Sequence, residues 1–404
     1  MSAAVPATVT PSPAEAAIAR EIAAAREAGR PLVIRGNGTK LGMLRPVQAA
    51  REVSTRDLTG IPLYAPKELV LTARAGTAVA EIERRLATEG QHLIAEPPDL
   101  AALLGGTGLA SIGGTVATNL SGPRRVAWGA MRDHVLGIRA VTGAGELIRS
   151  GGRVLKNVTG LDLCKLYTGS HGTLGVITEV TLKVLPAPER TGTLALSGLT
   201  PRQAVAALAA ALGSPFSVSA AAYLPDSAAT RAGLAAATAL IRIEESAASV
   251  AYRTAKLRDQ LAGDFGQAAI LDDAASRPLW RAIRDARVLD AEGAAVWRVS
   301  VRPSRGPDVV EAVVGAVEAN CFLDWGGGLV WIAAEASEAA HGAVTAAARA
   351  AGGTWMLLRA PDALRAAVDV LPPEPPALAA ITRRVKAALD PAGILNPGRM
   401  YSHL

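Results

Sequence analysis

Polar and apolar positions along the chain first divide it into elements. Residues from Pro13 to Ala28 read as a helix, with Ser12 or Pro13 at its start and Gly29 just past its end. Pro31-Leu32-Val33-Ile34 is a short apolar strand that runs directly into Arg35-Gly36-Asn37-Gly38-Thr39-Lys40. Leu69 to Ala73 and a helix from Ala78 to Glu89, ended by Gly90, form a strand–helix pair. His92-Leu93-Ile94 is a further strand, and Glu96-Pro97-Pro98-Asp99 a rigid turn. Residues 190–360 repeat an order of elements without repeating a sequence. The first round reads strand 192–197, helix 201–212, strands 216–224 and 237–244, helix 246–262, strand 268–271. A linking helix, 275–288, carries Trp280. The second reads strand 295–301, helix 307–319, strands 320–325 and 328–335, helix 338–350, strand 354–358. Two βαββαβ units in tandem predict one antiparallel sheet with helices on a single face. Pro372 to Pro376 is a stiff linker, followed by a helix from Ala377 to Leu389 with Arg383, Arg384 and Lys386 toward its C-terminal end.

At 404 residues the chain predicts two domains. Half the residues are hydrophobic and 19% charged, which predicts a buried, globular protein. The net charge of +6 is spread thinly, with no run of like charges and no interleaving with aromatics, so nucleic acid is not an expected partner. The longest uncharged run, Gln203 to Pro225, is broken by Gly213-Ser214-Pro215 and reads as a helix then a strand, not a membrane span. The N-terminus shows no signal-peptide pattern. Cys164 and Cys321 belong to no CxxC and are expected to be buried thiols, so neither an iron–sulfur cluster nor zinc is expected on this chain. A reducing cytoplasm suits them.

Chemistry enters through glycine. Within the stretch from Ile112 to Leu185 glycines cluster at three points, from Gly113-Gly114-Thr115-Val116-Ala117-Thr118-Asn119 through Gly122 to Gly169-Ser170-His171-Gly172-Thr173-Leu174-Gly175-Val176-Ile177; upstream of it, the strand ending at Ile34 delivers a separate glycine loop, Gly36 to Lys40. Glycine lets backbone approach a ligand closely, so that amide groups converge on an anion. GxxxxGK[ST] is absent, and no GxGxxG follows a strand and opens a helix, so neither a P-loop nor a Rossmann site is expected. A large anionic cofactor lying along Ile112 to Leu185 fits the pattern there, and a strand delivering the Gly36 loop is a phosphate-binding arrangement in outline.

This series resembles the FAD-binding domain of the vanillyl-alcohol oxidase and p-cresol methylhydroxylase (PCMH) superfamily. Lys156-Asn157-Val158-Thr159-Gly160-Leu161-Asp162-Leu163-Cys164-Lys165-Leu166 and Leu395-Asn396-Pro397-Gly398 look like the glycolate oxidase group within it. The length and the Gly122-Pro123-Arg124-Arg125 run look most like its smaller FAD-binding subunit. The resemblance is dense over residues 31–186, returns at 381–400, and is thin between. It implies an α+β fold: a two-subdomain PCMH-type FAD-binding domain over 1–188, a cap domain of tandem βαββαβ (ferredoxin-like) units over 189–370, and a C-terminal segment, 371–404, returning to the first. It also implies that Gly36, Asn37, Gly38, Thr39 and Lys40 form the first pyrophosphate loop, and Gly113, Gly114, Thr115, Ala117, Thr118 and Asn119 the second. Gly122 would lie near the isoalloxazine, and Gly172, Gly175, Val176 and Ile177 on a strand lining adenine and ribose. Asn37 stands where glycine is common, a substitution that asparagine tolerates. The first loop holds no histidine or cysteine, so the FAD is expected to be non-covalent. His134 and His171 read as structural. Arg124 and Arg125 read as offsetting phosphate, binding a carboxylate, or forming a solvated surface pair.

Relatives that oxidise 2-hydroxy acids carry a histidine-rich, metal-binding segment around a glycine turn in the cap. The matching stretch here, Leu323-Asp324-Trp325-Gly326-Gly327-Gly328-Leu329-Val330-Trp331, keeps the glycines and has no histidine; His341 stands alone. No metal site is expected and no catalytic residue is assigned. The resemblance thus implies an FAD-binding subunit of a glycolate (2-hydroxy acid) oxidase complex that turns glycolate into glyoxylate. Its partners would be a second FAD-containing catalytic subunit and an iron–sulfur subunit, with membrane association only through them. The alternatives are a self-sufficient 2-hydroxy-acid dehydrogenase and a non-catalytic assembly subunit.

Overall fold

A computed structural model describes residues 10–153 and 161–404. The Lys156-to-Gly160 part of the resemblance lies outside the described residues.

The first helix, Pro13–Glu27, starts where the sequence places it. Ser12 Oγ accepts from the Glu15 amide, and the Glu15 carboxylate accepts from the Ser12 amide. Ile18, Ile22 and Ala25 form its buried face. Glu15 also anchors the helix to the sheet behind it, pairing with Arg139 at 2.7 Å and accepting from the Thr178 hydroxyl at 2.8 Å. Burial alone would raise this carboxyl; Arg139 and the hydrogen bonds from Ser12 and Thr178 outweigh it and hold it at about 2.

The strands of the N-terminal part are β1 (Leu32–Arg35), β2 (Arg51–Ser54), β3 (Leu63–Ala65), β4 (Val70–Arg74), β5 (Gln91–His92), β6 (Val135–Thr142), β7 (Leu147–Gly151), β8 (Gly175–Lys183) and β9 (Leu185–Pro186). They form a five-stranded antiparallel sheet in the order β3-β4-β8-β6-β7, a parallel β1–β2 pair and a small β5–β9 pair. β1 gains its other neighbour from the C-terminal segment: the Leu32 amide donates to the Ile394 carbonyl at 2.8 Å, and the Asn396 amide to the Leu32 carbonyl at 3.0 Å.

The remaining strands are β10 (Arg190–Ser197), β11 (Val218–Leu224), β12 (Thr238–Glu245), β13 (Gln267–Leu271), β14 (Ala295–Ser300), β15 (Ala319–Asp324), β16 (Leu329–Ala334) and β17 (Thr354–Arg359). They build one eight-stranded antiparallel sheet in the order β13-β10-β12-β11-β15-β16-β14-β17, each round of the repeat giving one half. The halves meet at a narrow join, with Tyr223 opposite Leu323. Helices Pro201–Leu212, Ala247–Leu261, Gly306–Ala316 and Glu338–Ala350 pack against it. The linking helix corrects the single-face expectation. It spans Asp273–Arg284 and takes the opposite face. Gly192 approaches Val250 and Thr254 of the helix layer, whereas its neighbour Thr193 accepts from Trp280 Nε1 at 2.9 Å. Adjacent strand residues point to opposite faces, so the two contacts cannot share a side.

That opposite face meets the N-terminal part, and it is where the sheet carries its charge: Arg242, Glu244, Arg298 and Asp324. Met43, Leu44, Leu100 and Leu120 from the N-terminal part join the same buried cluster as the large sheet. Cys164 and Cys321 are both free and buried, and burial pushes the Cys321 thiol up to about 12. Among the described residues, no helix is long and apolar enough to cross a membrane.

Candidate functional site

β1 delivers its loop into a cavity of about 490 Å³ that three glycine-bearing segments line. From the first come Gly36, Asn37, Gly38, Thr39 and Lys40; from the second Gly113, Gly114, Ala117 and Thr118; from the third Gly172, Gly175, Val176 and Ile177, with His171. Gly36 is required by space: a Cβ there would meet Ser111 Oγ at 2.3 Å. Gly38 is required by its φ of +79°, the left-handed region that glycine occupies without strain.

The second cluster lies on a short helix, Ile112–Ala117, begun by Ser111, whose Oγ accepts from the Gly114 amide at 3.4 Å. In the third, β8 begins only at Gly175, so Gly172 belongs to the preceding turn and not to the strand expected for it. Three expected residues do not line the cavity. The Thr115 hydroxyl is buried, donating to the Ser111 carbonyl at 3.0 Å. Asn119 Oδ1 accepts from the Arg132 amide at 3.0 Å. Gly122 lies at the seam with the large sheet, where its carbonyl accepts from Trp325 Nε1 at 3.1 Å.

The cavity wall has unspent polar capacity. Asn37 donates its Nδ2 to the Leu109 carbonyl at 2.9 Å, which leaves its buried Oδ1 without a partner among the described residues; Arg35 Nε is in the same state. The Lys40 ammonium donates only to Thr39 Oγ1, at 3.3 Å, among the described residues. Burial pulls its pKa down to about 8, against the opposing influence of Asp99. A buried ammonium, an orphaned amide oxygen and closely approaching glycine backbone suit a ligand bearing both phosphate and hydroxyl groups.

Several residues that shape this site carry little or no local signal. Arg365, on the helix Asp362–Ala367, donates to the carbonyls of Leu41, Met43 and Leu44. Arg399 donates to those of Lys40, Leu41 and Arg45. Together they tie down the chain that leaves the first loop. Burial, with Arg365 beside it, pushes Arg399 down to about 10. Asn396 belongs to a motif already noted, but its role emerges only here: its Oδ1 accepts from the Ile34 amide and its Nδ2 donates to the His171 carbonyl, both at 2.8 Å. His171 is pushed down to about 3 by burial and by Arg399, and so stays neutral.

At the seam the two neighbouring arginines part company. Arg124 is no solvated surface residue: it grips Glu244 through two hydrogen bonds, of 2.9 and 2.6 Å, and touches His92 Nδ1 at 2.9 Å. Beside it Arg242 holds Glu96 through two bonds of 2.8 Å. Arg125 instead packs over Trp325, 4.3 Å from the ring centroid. His134 lines no part of the cavity, and His341 is structural, its Nδ1 accepting from Trp297 Nε1 at 3.2 Å. No cluster of metal-ligating side chains is gathered among the described residues.

Solved structures set the fold. 4-Ethylphenol oxidase from Gulosibacter chungangensis, in complex with isoeugenol, is similar with a TM-score of 0.70, over 96% of this chain and 88% of that one, at 15% identity. Alkyldihydroxyacetonephosphate synthase gives 0.69 over 94% and 74%, at 17% identity. The fold is therefore that of the PCMH-type FAD oxidases. The family model of the FAD binding domain matches residues 6–151, and that of the FAD linked oxidases' C-terminal domain residues 374–400. Glycolate oxidase subunit GlcE of Escherichia coli (strain K12) is 34% identical over 376 residues, 93% of each chain. This chain belongs to the FAD-linked oxidase family, an FAD-dependent group of oxidoreductases.

Proposed function

We propose that this chain is the FAD-binding subunit of a glycolate (2-hydroxy acid) oxidase complex. The observation that carries the reading is full-length similarity to GlcE, joined to three glycine segments that converge on one cavity. In this reading residues 1–188 and 371–404 form the FAD-binding domain and 189–370 its cap. Gly36, Asn37, Gly38, Thr39, Lys40, Gly113, Gly114, Ala117 and Thr118 hold the diphosphate and its sugars. Gly172, Gly175, Val176 and Ile177 line the adenosine end. Thr115 and Asn119 support them from behind. The cofactor is held non-covalently.

Bound FAD supplies two-electron redox chemistry. The chain's own part is to neutralise the diphosphate with Lys40, fix the first loop through Arg365, Arg399 and Asn396, and exclude water with the cap. The cap turn Trp325–Gly328 carries no histidine. This favours substrate oxidation on a second FAD-containing subunit, with an iron–sulfur subunit carrying electrons onward.

An absorption spectrum of the purified chain, followed by anaerobic addition of glycolate, tests the reading. An oxidised-flavin band that glycolate leaves unbleached in the isolated chain, and bleaches in the assembled complex, is expected. No flavin band after incubation with FAD would overturn it. Bleaching of the isolated chain would move the substrate chemistry here.

A further inference from the structure

The eight-stranded sheet ends differently on its two sides. At β17 the chain covers its own edge: the Leu357 amide donates to the Val370 carbonyl at 2.8 Å, and Trp355 Nε1 to that of Asp369 at 3.1 Å. At the other end β13 pairs with β10 on one side and, among the described residues, with no strand on the other. Every second residue of an antiparallel strand turns its N–H and C=O away from a given neighbour, so β13 presents an open ladder. The Leu271 carbonyl accepts from the Ser276 hydroxyl at 3.1 Å, which closes the ladder at its C-terminal end.

Proteins blunt such edges with charge, proline, a bulge or brevity, because an open edge pairs with whatever strand it meets. Elsewhere this chain does so. β2 carries Arg51 and Glu52, β3 is three residues long and runs into Pro66, and β7 carries Arg149. β13 has none of these devices: Gln267-Ala268-Ala269-Ile270-Leu271 is uncharged and lies against β10 without a bulge. None of its residues is buried, and Ile270 is 41% exposed.

The strand is also complementary to itself. Laid antiparallel against a copy about a two-fold axis at Ala269, it sets Ala268 opposite Ile270, so each large side chain meets a small one. Gln267 then falls opposite Leu271, Gly266 opposite Asp272, and Phe265 opposite Asp273. No like charges face each other, and Asp272 is already engaged, its Oδ1 accepting from the Ala275 amide at 2.9 Å. We propose that β13 is a homotypic interface, at which two copies of this chain pair about Ala269 and join their two large sheets into one. A five-residue ladder is small beside the roughly 1,200–2,000 Å² of stable interfaces, so the dimer is expected to form and dissociate with concentration. This goes beyond the subunit assignment and does not depend on it, since pairing at the cap edge needs neither substrate nor a second kind of subunit.

Sedimentation velocity of the FAD-loaded chain, from the low micromolar range upward, tests the proposal. A reversible monomer–dimer equilibrium is expected. Ala269→Lys sets like charges opposite each other at the axis, and Ala269→Glu does the same; each should weaken the dimer about fivefold or more. An equimolar mixture of the two variants puts lysine opposite glutamate and should restore dimerisation, which a contact elsewhere on the surface would not do. Ala269 is exposed, and thermal unfolding with flavin content reports the folding of each variant. Ala269→Ser, small and neutral, should dimerise like the natural chain, so loss of the dimer there as well would show disruption without regard to charge and overturn the proposal. A natural chain that stays monomeric at every concentration overturns it, even where β13 proves to accept a strand from another subunit. So does an undiminished dimer in either charged variant, and so does a mixture that fails to recover.

Discussion

Asn396 and Ile34 lie 362 positions apart in sequence and meet at 2.8 Å, the side-chain amide of one accepting from the backbone amide of the other. Through its second arm Asn396 holds the His171 carbonyl, so one planar group braces the first and third glycine segments together.

Asn396→Ala is therefore expected to lower stability by about 1–3 kcal/mol, because it strands buried backbone groups on two elements. Flavin occupancy should fall with it. Asn396→Asp keeps the acceptor and loses the donor, and should fall between the two. Thermal unfolding with flavin stoichiometry checks both; an Ala variant that keeps full occupancy would show the brace to be dispensable.

The contact between Gly36 and Ser111 gives a sharper case. Gly36→Ala places a methyl group 2.3 Å from Ser111 Oγ and should abolish FAD retention. Adding Ser111→Ala removes that oxygen and should restore part of it, at a cost of about 1 kcal/mol for the lost helix cap. Equilibrium dialysis of FAD against the single and double variants reads the rescue.

Lys40 predicts a pH dependence. Burial lowers its pKa to about 8 in the protein without cofactor, and only the charged form attracts phosphate. Below that value the ammonium is already in place. Above it, binding must draw a proton from solution, so FAD affinity should fall as pH rises through about 8. Lys40→Met should bind more weakly and without this slope, as fluorescence titration across pH 7 to 9.5 would record.

The seam ion pairs predict a non-additive cycle. Glu96→Ala leaves Arg242 buried with Glu244, at 3.4 Å, as its one remaining ion-pair partner among the described residues, and should cost about 3–5 kcal/mol. Glu96→Ala with Arg242→Met should cost clearly less than the sum of the single changes. Denaturant unfolding of the four proteins measures the coupling; simple additivity would mean that the pair contributes nothing as a pair.

Most of the large sheet was legible because its strands and helices alternate at clear spacing with turn residues between, so element order alone predicted the tandem arrangement. The glycine clusters were legible because backbone conformation leaves a local mark. What escaped was fixed by distant partners. Arg365 and Arg399 capture carbonyls of one loop from separate parts of the chain, and nothing adjacent to either announces that. Arg124 and Arg125 are identical neighbours whose fates diverge only because Glu244 lies under one and Trp325 under the other. In the cap turn the absence of histidine is visible in the sequence, whereas nothing local to Trp325 marks it as the side chain that reaches the Gly122 carbonyl.

The pairing of β1 with residues 394–396 has a consequence for biosynthesis. All eight strands of the large sheet lie between Arg190 and Arg359, so they leave the ribosome before the segment that completes β1. When the last strand of the cap has been synthesised, the cofactor loop still lacks Asn396 and Arg399. FAD loading is thereby expected to follow synthesis of the whole large sheet.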